Sequence, residues 1–266
     1  MKPSVLIAAG CSWVAGRAID CDPSATEFNF SHVEDPEFVK QHSFAGILQR
    51  RLDLDELHFI ARNGSNNEEQ CLNLVSFIED NYKNYSTIFV LWGLTSIYRW
   101  QMYSASTGQS EACMVGKKFK VDALTKEVKY HFSHHWDKDT ELKKLKNNVV
   151  LVNGYLKNLG IEHIFFNAFQ SYKISDVLEF YQGTEENNDL LSLLCVKNNV
   201  KISDSSVPWL NLLKPQDKQF NNTSVKELQK EHWLDQATAH PTIKAHKLIA
   251  DELYNYIIKE KTNERI

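Results

Sequence analysis

Short unbroken apolar runs alternate along this chain with stretches in which apolar residues recur every three or four positions. Val5 to Ala9 is the first run, closed by Gly10, and it predicts an interior parallel strand feeding a tight turn. Phe44, Ile47, Leu48 and Leu52 then fall at helical spacing after a polar loop over 20–40. Leu57 to Ala61 predicts a second strand, the turn formers Arg62 to Asn67 follow, and Cys71, Leu74, Val75 and Ile78 mark another helix. Thr87 to Trp92 is the most hydrophobic strand candidate and ends at Gly93.

From 101 to 140 the pattern dissolves into Ser, Gly, Lys and His. We read this as an insertion, with a hairpin expected around Phe119, Val121 and Leu124. Leu142 to Leu159 steps by three and four, Gly160 stands where a helix stop belongs, and Ile161 to Phe166 predicts a fourth strand. Further expectations are a helical stretch within 171–195, a short fifth strand at 199–202 and a polar loop over 208–231. The last expectation is an amphipathic helix with Pro241 in its first turn. Strands alternating with helices imply an α/β fold: a three-layer α/β/α sandwich on a mainly parallel sheet of roughly five strands, flavodoxin-like in plan. Residues 1–260 read as one domain, since no linker or internal repeat divides them.

Composition narrows the chemistry. A formal net charge of -4 supplies no basic footprint, so a nucleic acid partner is not expected. Five widely spaced cysteines without a Cys-x-x-Cys pair read as reduced thiols, and no run approaches the roughly 18–20 apolar residues of a membrane span. The expectation is a soluble cytoplasmic protein without a cofactor or a membrane partner. Its oligomeric state is not legible. His131, His134 and His135 with Asp137 and Asp139 match no metal-ligand spacing and read as a solvated loop.

In sheets of this kind functional loops gather at the carboxyl ends of the strands. Three such ends carry small or polar residues: Gly10-Cys11-Ser12, Asn63-Gly64-Ser65-Asn66 and Gly93-Leu94-Thr95-Ser96. A fourth cluster, Asp235 to His240, precedes the last helix. A serine hydroxyl at a helix start, a histidine to take its proton, a carboxylate to orient that histidine and amides to hold an oxyanion would make an acyl-transfer site. Taken alone, Ser12 also reads as a helix N-cap, and Cys11 as an alternative thiol nucleophile. Arg99 reads first as an exposed helical residue and second as a ligand for a substrate carboxylate or phosphate.

The four clusters, in this order, resemble the sparse blocks of the SGNH (GDSL-type) hydrolase superfamily. Gly10-Cys11-Ser12 with Gly16 is similar to its first block, Gly64 with Asn66 to its second, Gly93-Leu94-Thr95-Ser96 to its third and His240-Pro241 to its last. The nearest likeness is to phage and bacterial variants with a Gly-Cys-Ser turn. The resemblance implies a serine esterase acting on a small-molecule or glycan ester, with Ser12 as nucleophile, His240 as base and Asp235 as orienting acid. The amides of Ser12 and Gly64 would hold the oxyanion, Thr95 stands at the place of the oxyanion asparagine with a hydroxyl that can donate one hydrogen bond, and the side-chain amide of Asn66, or as second choice Asn63, would supply the donor instead.

The chain departs from the family's pattern in three places. Cys11 stands for the usual acid of the first block, Thr95 for the oxyanion asparagine of the third, and Ala237 for the acid three residues before the histidine. Asp235 lies five residues before it. A weakened module that binds a glycan or a partner, and an acyltransferase, are the competing expectations.

Overall fold

The computed structural model describes residues 2–25, 34–114, 121–168, 172, 177, 180–181, 189–198, 223–237 and 239–263. In chain order it builds β1 (Ser4–Ala9), α1 (Pro36–His42), α2 (Phe44–Arg51), β2 (Glu56–Phe59), α3 (Asn67–Asn81), β3 (Thr87–Leu94), β4 (Arg99–Ser104) and β5 (Gln109–Met114). There follow α4 (Asp122–His134), α5 (Lys138–Asn158), β6 (Glu162–Asn167), β7 (Phe180–Tyr181), α6 (Leu190–Lys197), α7 (Thr223–Lys230) and α8 (Ile243–Asn263). The main sheet has the order β2-β1-β3-β6-β7, and every pairing in it is parallel. The fold is a three-layer α/β/α sandwich.

Alternation along the central strands divides the core. Leu6, Ala8, Phe89, Leu91, Ile164 and Phe166 face one side, where α2, α6, α7 and α8 supply Phe44, Leu193, Leu228 and Ile249. Val5, Ile7, Ala9, Val90, Trp92 and Phe165 face the other, covered by Leu74 and Ile78 of α3 and by Val149, Val152 and Leu156 of α5. Strands buried on both faces read as continuous apolar runs, which is why β1, β3 and β6 stand out in the sequence. β2 is an edge strand with alternating exposure. Chain order reverses between β1 and β3, so their carboxyl ends open a crevice at the switch point.

Several expectations are corrected. The hairpin is β4–β5, ahead of the proposed residues; Leu124 instead lies buried in α4, and Phe119 falls outside the described residues. The histidine-rich stretch is the end of α4 rather than a loop: Tyr130 stacks on His134 with ring centroids 4.1 Å apart, and Trp100 on His131 at 5.6 Å. Asp137 is used as the N-cap of α5, accepting from the Thr140 N–H at 2.8 Å. α7 occupies part of the expected loop over 208–231, and the fifth strand is β7, whereas 199–202 lies outside the described residues. Pro241 is not in a helical turn but pairs with Leu234 in an isolated antiparallel bridge, and α8 starts at Ile243. β3 runs through Gly93 to Leu94. A Cβ on Gly93 would lie 2.6 Å from Val14 Cγ2 and 2.7 Å from Phe166 Cζ, so this glycine serves close packing, not strand termination.

All five cysteines are free thiols. No helix among the described residues is long and apolar enough to cross a membrane.

Candidate active site

Ser12 follows β1 in a run of hydrogen-bonded turns, with Ala15 N–H donating to Cys11 O and Arg17 N–H to Ser12 O, each at 2.9 Å. The expected helix start is absent there; residues 12–20 are turns. Gly10 makes the change of direction possible. Its φ of +145° is one that side-chain-bearing residues rarely adopt, and a Cβ would lie 2.8 Å from Gly93 O. Its N–H donates to Gln70 Oε1 at 2.9 Å and its carbonyl accepts from Ser65 Oγ at 2.8 Å. The first turn is thereby tied to the second. Ser12 itself is 7% exposed.

The second turn separates its own residues. Gly64 is exposed in a left-handed turn with open space around it, whereas Ser65, Asn66 and Asn67 are buried. Asn66 caps α3, its Oδ1 accepting from the Glu69 N–H at 2.9 Å. That leaves its Nδ2 buried and without a partner among the described residues. Asn67 Oδ1 accepts from Thr95 N–H and its Nδ2 donates to Thr95 O, both at 2.8 Å. One side-chain amide thus completes the backbone of the third turn, and Tyr172 adds a hydroxyl donating to the same carbonyl at 3.3 Å.

Thr95 is buried, and its Oγ1 has no hydrogen-bond partner of ordinary geometry among the described residues. It lies near enough to the Cys11 sulfur to favour the thiolate slightly, as does Arg99. Burial outweighs both and pushes the Cys11 thiol up, which makes Cys11 a poor nucleophile. Arg99 is neither helical nor exposed. It opens β4, burial lowers its pKa, and its charge is felt at Cys11, Tyr172 and His240.

Asp235 and His240 face each other across a closed loop. Asp235 N–H donates to His240 O at 2.9 Å, and Asp235 Oδ2 accepts from the His240 N–H at 2.6 Å. The other carboxylate oxygen accepts from the Ala237 N–H at 3.0 Å. Ala239, at φ +57°, makes the bend; a left-handed non-glycine residue of this kind costs roughly 1–2 kcal/mol and persists only where its surroundings hold it. Burial lowers the His240 pKa, the Asp235 charge opposes that fall, and Arg99 and Arg17 reinforce it. Arg17 forms an ion pair with Glu34 at 2.7 Å.

Hydrogen bonds thus tie the first turn to the second and the second to the third, Asp235 closes on His240, and the Arg99 charge is felt at both Cys11 and His240, while Gly64 stays exposed. Sequence reasoning passed over Asn67, Gln70 and His246. His246 is fully buried on α8, its Nδ1 accepts from the Phe44 N–H at 3.2 Å, and its ring stacks on Phe44. A polar residue on the apolar face of a helix, one turn from Ile243 or Ile249, is the signal that would have found it.

No family model matches the chain, and no curated protein does either. Among solved structures the chain is similar to the psychrotrophic esterase EstA from Pseudoalteromonas sp., inhibited by monoethylphosphonate. The identity is 11% and the TM-score 0.38, over 98% of this chain and 99% of that one. It is also similar to phospholipase A1 from Streptomyces albidoflavus NA297, with 8% identity and a TM-score of 0.31 over 96% of this chain and 100% of that one. Likeness at this level carries no weight for the chemistry, which rests on the residues above.

Proposed function

We propose that the chain is a serine acyl-ester hydrolase of the SGNH type. The observation that carries the reading is the Asp235–His240 loop, whose histidine lies within electrostatic reach of Arg17, a residue whose backbone N–H bonds to Ser12 O, and of Arg99, whose charge is also felt at Cys11. Ser12 Oγ attacks the ester carbonyl while His240 takes its proton, and the tetrahedral oxyanion is held by the Ser12 N–H and Asn66 Nδ2. The leaving alcohol departs with the proton from His240, leaving an acyl group on Ser12. Water then gives a proton to His240 and attacks the acyl carbon, releasing the acid and restoring Ser12. Asp235 fixes the loop and stabilises the imidazolium.

Gly64, exposed at the rim, shapes the turn that presents Asn66. The Thr95 hydroxyl, buried behind the turn, supports Cys11 and fills the place of a longer amide.

Short-chain 4-nitrophenyl esters test the reading directly. The wild-type protein hydrolyses them, and Ser12→Ala and His240→Ala lose that activity; equal rates in all three proteins overturn it. A fluorophosphonate that labels Ser12 stoichiometrically also separates an active enzyme from a binding module.

A further inference from the structure

Beside the crevice a cleft of about 270 Å³ opens between the N-terminus of α3, the start of β4 and one face of α5. It shares Asn66 and Arg99 with the site. Asn147 and Asn148 line it from α5, together with Glu141 and Lys144, which pair at 2.7 Å, and Trp100 forms part of its wall. The volume lies below the roughly 300 Å³ at which pockets for drug-sized ligands begin, which leaves room for one ring rather than a long chain.

The lining is wrong for a fatty acyl group. Four asparagine amides, two carboxylates, an ammonium and a guanidinium outnumber the apolar side chains of Ile97, Trp100 and Leu145, and every hydroxyl of a polyol both donates and accepts. Two polar atoms are already stripped of water without compensation: Asn66 Nδ2 and Trp100 Nε1 are buried with no partner among the described residues, and both residues line the cleft. Buried donors of this kind are met in nearly all proteins by protein, water or ligand oxygens. The α3 N-terminus adds its positive end to the same wall.

We propose that this cleft holds the alcohol half of the ester and that the alcohol is a sugar, its hydroxyls shared among Asn66, Asn147, Asn148, Glu141 and Lys144. The proposal rests on the serine hydrolase reading for its placement beside the reacting carbonyl. Since Asn66 belongs to both, a sugar seated here presents its acyl oxygen to the oxyanion donors.

Two esters with the same acyl group, 6-O-acetylglucose and ethyl acetate, separate the halves of the substrate. The wild-type protein prefers the sugar ester at least tenfold in kcat/KM, and the double variant Asn147→Ala/Asn148→Ala, checked for an unchanged circular dichroism spectrum, loses that preference through a raised KM. An equal preference in both proteins, or none in the wild type, overturns the proposal. Tryptophan fluorescence of Ser12→Ala titrated with 6-O-acetylglucose reads binding without turnover. Saturable binding, weakened at least fivefold by the added Asn147→Ala/Asn148→Ala pair, supports the cleft; no saturable change, or binding indifferent to those changes, overturns it. Hydrolysis of neither ester by the wild type refutes the hydrolase reading instead, and the titration then decides the cleft alone.

Discussion

Asp235 Oδ2 accepts the backbone N–H of His240 at 2.6 Å, while Asp235 N–H donates to the His240 carbonyl at 2.9 Å. The two residues are five apart in sequence and adjacent in space because the Leu234–Pro241 bridge closes the chain between them. The carboxylate also accepts from Ala237 N–H, so it serves both as a cap for the loop and as a negative charge beside the histidine.

Replacing that carboxylate separates the two roles. Asp235→Asn turns an amide donor toward one of the two N–H groups, and an unsatisfied buried donor costs about 1–3 kcal/mol. The lost charge removes a stabiliser of the imidazolium, for which a fall in kcat of roughly 10²- to 10⁴-fold is expected. Urea unfolding and ester kinetics on one preparation check both figures.

The acid limb of kcat/KM reports His240. Its pKa is lowered by burial, so the neutral, proton-accepting form persists below the ordinary value near 6.5, and activity stays level through that pH before falling. Asp235 pulls the other way. In Asp235→Asn the residual acid limb therefore moves to still lower pH, and a pH–rate profile showing a move to higher pH would contradict the assignment.

Asn66→Ser keeps an oxygen that can cap α3 and removes the Nδ2 donor without burying a charge. A Ser at a helix N-cap is about as favourable as Asn, so the melting temperature should hold. Loss of one oxyanion donor costs about 2.7–4 kcal/mol of transition-state stabilisation, or roughly 10²- to 10³-fold in kcat. A variant that melts normally and turns over normally would remove Asn66 from the oxyanion site.

His246 predicts acid sensitivity of the fold. It is fully buried, its Nδ1 is held as an acceptor by Phe44 N–H, and burial drops its pKa to about 3, with the nearby His240 adding to the fall. The unfolded chain takes up a proton below about pH 6.5 and the folded chain does not, so stability falls as pH falls, by ~1.4 kcal/mol per unit from near 6.5 toward 3. His246→Asn, whose Oδ1 can replace Nδ1 as acceptor, should flatten this slope in urea melts at pH 7, 5 and 4.

Cys11 should be silent. Burial raises its pKa and it is fully enclosed, so iodoacetamide at pH 7 leaves it unmodified in the folded protein while the half-buried Cys21 and Cys71 react first. Cys11→Ala retains esterase activity within about tenfold, the shortfall reflecting packing under Ser12. Peptide mass mapping and nitrophenyl ester rates decide it.

The strands and helices with strong periodicity are legible in the amino-acid sequence alone. Val5–Ala9, Thr87–Trp92 and Ile161–Phe166 are apolar on both faces, which only a buried parallel strand allows, and the α3 and α5 stripes follow from 3.6-residue spacing. The β4–β5 hairpin and α7 are not, since each carries too few apolar residues for its period to show.

The chemistry divides along the same line. Local order along the chain marks Ser12, Asn66, Thr95 and His240 as candidates, because each sits beside a turn former at an element's end. What local order does not contain is which long-range partner satisfies each polar group. Asn67 completing Thr95, Gln70 holding Gly10, Arg99 buried within reach of His240 and Asp235 closing on His240 all depend on hydrogen bonds and fields between distant segments. Such contacts exist only once two apolar layers have packed against the sheet and excluded water. Periodicity sets the layers; packing decides which buried polar atoms meet, and so where the site lies.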